Sequence, residues 1–101
     1  MNQAQLMQQM KKMQNEMAKA QEELANTIVT GVAAGELVKI EMTADNRVKS
    51  VKIARDAVDP DDVETLEDLI LVAMNDAVQK AQAASEKRMG AVTGGLKIPG
   101  F

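Results

Sequence analysis

The residues of this 101-residue chain that could act on a ligand are acids, bases and two isolated serines. There is no His and no Cys, which removes the side chains that most often serve as nucleophile, general base or metal ligand near neutral pH. Ser50 and Ser85 have no partner base close in sequence. Asp59, Asp61 and Asp62 cluster, but not at the spacing of a calcium loop, and acids just ahead of a helix have a ready use in capping it. The glycine-rich "TGGLKIPGF" lacks the Lys-Ser/Thr pair after Gly that a phosphate-binding loop requires. No enzyme activity, cofactor, metal site or small-molecule substrate is therefore expected.

What remains is charge, and its placement says more than its sum. Twelve Lys and Arg against fifteen Asp and Glu leave a net charge of −3. Arg47, Lys49, Lys52 and Arg55 stand together without an acid, residues 56–76 hold eight acids and no base, and Lys80, Lys87, Arg88 and Lys97 then face only Glu86. An acidic block flanked by basic ones allows a local basic surface on an acidic protein. The strand "RVKSVKIAR" could grip phosphates, though a solvated face or pairing with the acids that follow explains its charges more simply. The single aromatic residue is Phe101, so nothing is placed to stack on bases, and single-strand recognition is not expected.

The elements that must carry these charges follow from hydrophobic period. Leu6, Met10, Met13, Met17, Ala20 and Leu24 form a heptad seam, which predicts a first helix over residues 1–25, ended by Asn26. Residues 27–55 turn β-branched. Val38, Ile40 and Met42 alternate with Lys39, Glu41 and Thr43, and Gly35 and Asp45-Asn46 supply turns, so a three-stranded antiparallel meander with one buried face is expected. Val48 and Val51 break the alternation, which points to a bulge or to Val48 lying in the turn. Asp59 as N-cap and Pro60 at the first helical position predict a second helix over 60–89, stopped by Gly90, with 90–101 an irregular tail.

The expected fold class is α+β, in the order α-β-β-β-α, as a single domain over residues 1–101. Both helices should outreach a compact body of this size, whose radius of gyration would be near 13 Å. From Leu69 to Met74 the second helix has six apolar residues in a row, about twice what one buried face uses. Leu66, Ile70, Ala73 and Ala77 suffice for the sheet. Leu69, Leu71, Val72 and Met74 then need another surface, and an intertwined homodimer is the economical answer. The absence of Cys favours a reducing compartment, and no apolar run approaches the roughly 20 residues of a membrane span, so a soluble cytoplasmic protein with no membrane partner is expected.

The runs "LMQQMKKMQNEMAKAQEEL", "VDPDDVETLEDLILVAMNDAVQKA" and "TGGLKIPGF" together resemble the YbaB/EbfC family of bacterial nucleoid-associated proteins. The most specific match is the ordered set Asp62, Glu64, Leu66, Glu67, Asp68, Leu69, Ala73, Asn75, Asp76, Ala77 and Lys80. The resemblance implies a dimer formed through sheet and long helix that binds duplex DNA with little sequence preference, in the nucleoid. It departs from the family pattern at Gln8 and Glu16, where basic residues are usual, and at Met74, where Phe is common.

Together the residues and the resemblance name a candidate DNA surface: Lys11, Lys12 and Lys19 on the first helix, with Lys80, Lys87 and Arg88 on the second. The acidic middle would stay away from phosphate. The rival expectation is a dimeric adapter that holds another protein on its helices and binds DNA weakly or incidentally.

Overall fold

Helix α1, Gln3–Ala25, begins where Asn2 and Gln5 cap each other. The Asn2 side chain accepts from the Gln5 amide at 2.8 Å, and the Gln5 side chain accepts from the Asn2 amide at 3.4 Å, so two of the amides that every helix start leaves unpaired are satisfied. The helix ends at Asn26, as expected, with the Asn26 side-chain amide donating to the Glu22 carbonyl at 3.0 Å. The computed structural model describes residues 2–94. The expected irregular tail beyond Gly94 lies outside the described residues.

Three strands follow, β1 Ile28–Ala33, β2 Val38–Thr43 and β3 Val48–Ile53, antiparallel and in spatial order β1-β2-β3. The turns sit where the sequence placed them, with Gly35 at φ 76° and Asn46 at φ 74°, left-handed positions that Gly and Asn tolerate. The irregularity at Val48 is a bulge: Glu41 pairs with Ser50 but Met42 with Val48, so Lys49 is the extra residue. The register therefore keeps Val48, Val51 and Ile53 on the same face as Met42, Ile40 and Val38.

Helix α2, Val63–Gly94, departs from expectation at both ends. Its cap is Asp62, whose carboxylate accepts from the Thr65 amide at 3.3 Å and the Thr65 hydroxyl at 2.6 Å. Asp59 instead accepts from the Asp61 amide at 2.9 Å, closing a turn around Pro60 before the helix starts. A side chain that satisfies its own turn two residues on is unavailable to a helix amide. At the other end the helix runs through Gly90. Glycine costs a helix only about 1 kcal/mol relative to Ala, and Val92, 8% exposed, is buried beyond it.

Helix α2 lies across β1 and β2. The core it closes holds Ala33, Val38, Ile40 and Met42 from the sheet and Ala73, Ala77 and Ala81 from the helix, flanked by Leu66 and Ile70 as the sequence indicated. Gly31 lets the two approach: a Cβ there would stand 2.2 Å from the Ala73 carbonyl oxygen and 2.4 Å from the Ala77 amide nitrogen. Leu69 and Met74, expected to need a second surface, also lean on this core within the chain. The helix lies deep enough in the sheet for its flanks, and not only its central stripe, to reach it. Leu71 and Val72 stay 60% and 55% exposed.

The molecule is elongated, 70 × 25 × 17 Å with a radius of gyration of 19.6 Å. Only the last turns of α1 pack closely, with Ala20 and Leu24 buried. Towards its start the seam opens to solvent, and Leu6, Met7 and Met10 are all exposed. α1 ahead of Ala20 is a projecting arm: its first three turns stand free, and beyond them Met13 and Met17 are half-buried while Lys12, Asn15 and Lys19 stay exposed.

Candidate nucleic-acid interface

On α1 the heptad seam and the lysines occupy opposite faces. At 100° per residue, Lys12, Asn15 and Lys19 fall within a sector of about 60°, roughly opposite Met13 and Met17. Gln8, Lys11, Lys12, Asn15, Glu16 and Lys19 line one shallow concavity along this outer face. Among the described residues, no hydrogen bond or ion pair occupies the side chains of Gln8, Lys11, Lys12, Asn15 or Lys19. The arm thus presents three unpaired ammonium groups and two free carboxamides, with Glu16 at the rim as its one carboxylate.

The other three candidate cations are placed differently. Lys87 is exposed on α2 and unpaired. Lys80 donates to the Thr30 carbonyl at 2.8 Å and pairs with Asp76 at 3.0 Å. Asp76 in turn accepts from the Val32 amide at 3.0 Å. Thr30 and Val32, two apart on an edge strand, point their backbone groups to the same side, so Asp76 and Lys80 occupy the outer edge of β1 and keep it from pairing with another strand. The Asp76 carboxyl is held below the ordinary range, first by the Val32 amide and then by Lys80.

Arg88 bonds through its guanidinium to the Glu23 carboxylate and so ties α2 to the base of the arm. That hydrogen bond, more than the charge alone, lowers the Glu23 pKa. A depressed carboxylate adds stability that is present above its unfolded value, near 4.3, and is lost as pH falls through the lower folded value. The protection of α1 amides, corrected for the intrinsic exchange rate, should therefore fall selectively below about pH 4. Glu23→Gln should show that lower protection already at neutral pH and lose the pH dependence; equal protection of wild type and variant at both pH values would deny the tie its role.

The register also places residues that the linear sequence left unassigned. Lys39 and Lys52 stand directly opposite each other on the sheet face away from α2. Like charges in such a pair destabilise a sheet slightly, and no ion pair among the described residues relieves either one. The alternation of β2 put Lys39 outward, but only the β2–β3 register brings it beside Lys52. Arg47, Lys49, Lys52 and Arg55 are likewise exposed and make no ion pair with the acids that follow them, which leaves them on a solvated surface.

Among the described residues, no group of three or more acids converges in a way that could hold a metal ion, and no helix is long and apolar enough to cross a membrane. The geometry instead defines a class: a small α+β protein whose projecting first helix carries lysines on its outer face. The model of the YbaB/EbfC DNA-binding family matches residues 1–96, and the chain belongs to that family. It is 52% identical to a nucleoid-associated protein of Roseiflexus sp. (strain RS-1) over the whole of both chains. To a nucleoid-associated protein of Chloroflexus aurantiacus it is 55% identical over 96% of this chain and 97% of that one. An uncharacterized protein from Helicobacter pylori has the same fold, with a TM-score of 0.76 at 22% identity, covering 95% of this chain and 98% of the other.

Proposed function

We propose that this protein is a nucleoid-associated protein of the bacterial cytoplasm that binds duplex DNA as a homodimer, mostly without regard to sequence. The observation that carries this reading is the set of unpaired cations, Lys11, Lys12 and Lys19, on the free face of an arm that projects from an otherwise acidic protein. Phosphate contacts from flexible lysines supply affinity and orientation and leave sequence largely unread. Lys87 joins this set. Lys80 and Arg88 serve it from behind, by holding the edge of β1 and the base of the arm.

A second copy supplies the second arm. Val48, Val51 and Ile53 on β3 are all exposed on the very face that α2 covers over β1 and β2. Leu71 projects from α2 with Met74 at its side, so floor and wall of an apolar step lie open together. Covering each such side chain would contribute roughly 1.5 to 3 kcal/mol, and a copy related by a two-fold axis brings the same apolar step to meet it. Val72 lies on the opposite flank of α2 and contributes less.

The test is anisotropy of a labelled 30-base-pair duplex titrated at 50 and 200 mM salt, with light scattering alongside. Three lysines on each of two arms make about six phosphate contacts, so log K should fall against log salt with a slope near −5 whatever the sequence. The scattering mass should be that of two chains for the wild type and one for Val51→Asp. A folded dimer that binds no duplex at 50 mM salt would overturn the reading and leave a protein–protein adapter in its place.

A further inference from the structure

The free carboxamides on the basic face are not explained by phosphate contact. Asn15 lies between Lys12 and Lys19 on one face of α1, and Gln8 lies one step beyond Lys12. None of these side chains bonds to the rest of the protein. Lys12 and Lys19 are seven residues apart, which is about 10.5 Å of helix. The major groove of duplex DNA is about 12 Å wide and admits an α-helix of 10 to 12 Å diameter, whereas the minor groove, about 6 Å wide, does not. Lys12, Asn15 and Lys19 are exposed on the side of α1 away from the half-buried Met13 and Met17, so that side has the clearance to face such a groove.

We propose that α1 lies along the major groove with Lys12 and Lys19 on the phosphates of one wall and Lys11 on those of the other, and that Asn15, between these two sides of the helix, reads adenine. This rests on the DNA-binding function above and adds a specificity-determining residue to it. The Asn15 amide donates to adenine N7, and its carbonyl accepts from the adenine N6 amino group, the bidentate pairing that a side-chain carboxamide makes with this base. Gln8, about 10.5 Å along the same face, reaches a second base about three pairs away, at 3.4 Å per step. Glu16 at the rim faces the nearer wall and limits how tightly the arm can seat. The outcome is a weak preference for adenines about three pairs apart, laid over a dominant, sequence-blind attraction.

The experiment compares a 30-base-pair duplex with the same duplex carrying 7-deazaadenine, which removes the N7 acceptor from the major groove and changes neither charge nor minor groove. At 100 mM salt, wild type should bind the substituted duplex about fivefold more weakly or worse, the lower end of what one bidentate pair discriminates. Asn15→Ala should bind both duplexes equally and keep the salt slope. Lys12→Ala should weaken both, flatten the slope and keep the ratio. Equal binding of the two duplexes by wild type overturns the inference and leaves the DNA-binding function standing. Undiminished discrimination by Asn15→Ala overturns the assignment to Asn15. Failure to bind either duplex overturns both the function and the inference.

Discussion

Lys11→Glu combined with Lys12→Glu should lower duplex affinity about ten-thousandfold at 0.1 M salt, by equal factors on all sequences, and leave the dimer intact. The two side chains are neighbours on the exposed face of the arm, with no partner to lose inside the protein. Each phosphate contact contributes about 0.9 to the salt slope, which at 0.1 M is close to one decade of affinity, and a dimer loses four such contacts. The reversed charges add repulsion to that loss. Melting should not move, because both residues are exposed and α1 keeps its seam and its Asn2–Gln5 cap. An affinity within threefold of wild type would take the arm out of the DNA site and point to Lys87 and to the Lys39–Lys52 pair on the sheet.

Gly31→Ala should be among the most destabilising single-methyl changes the chain can suffer, costing about 3 kcal/mol or more. The added carbon would lie 2.2 Å and 2.4 Å from backbone atoms of Ala73 and Ala77 and 2.7 Å from the Ala77 side chain. Backbone in the middle of a long helix cannot rotate aside as a flexible side chain would, so α2 must lift from β1 as a body. Lifting it opens the contact with Val38 and Ile40 and draws Asp76 and Lys80 off the edge of β1. For a domain of this size the change should lower Tm by more than about 12 °C. A Tm within 2 °C of wild type would show that helix and sheet are less closely apposed than the contacts require. Gly35, at φ 76° with nothing within 4 Å of a Cβ, is the contrast: there the cost is conformational and not steric.

Much of the fold is legible in the amino-acid sequence, because its signals are local. A heptad of Met and Leu, an alternating strand and two turns with Gly and Asn at their tight positions each need only their near neighbours to form. The α-β-β-β-α order and the end of α1 at Asn26 follow from these. The start of α2 does not, since Asp59, Asp61 and Asp62 are chemically equal candidates for a cap. Which carboxylate meets a helix amide depends on how the chain turns at Pro60. Gly90 is likewise ambiguous: a glycine ends a helix only when nothing packs beyond it, and Val92 does.

Charge alone could not sort the basic residues either. Sequence determined that Lys11, Lys12 and Lys19 share a helix face away from the seam, because helical period is a property of the chain itself. It could not tell them from Lys80 and Arg88, which have the same chemistry and similar positions in a helix. Only the tertiary structure decided that Lys80 bonds to the edge of β1 and Arg88 to Glu23, while the arm lysines remain unpaired. It also decided that Leu69 and Met74 turn inward while Leu71, Val51 and Ile53 stay exposed. The reason is the same in each case: these outcomes depend on where α2 crosses the sheet, which is set by contacts such as Gly31 with Ala73 and Ala77, more than forty residues apart in the chain.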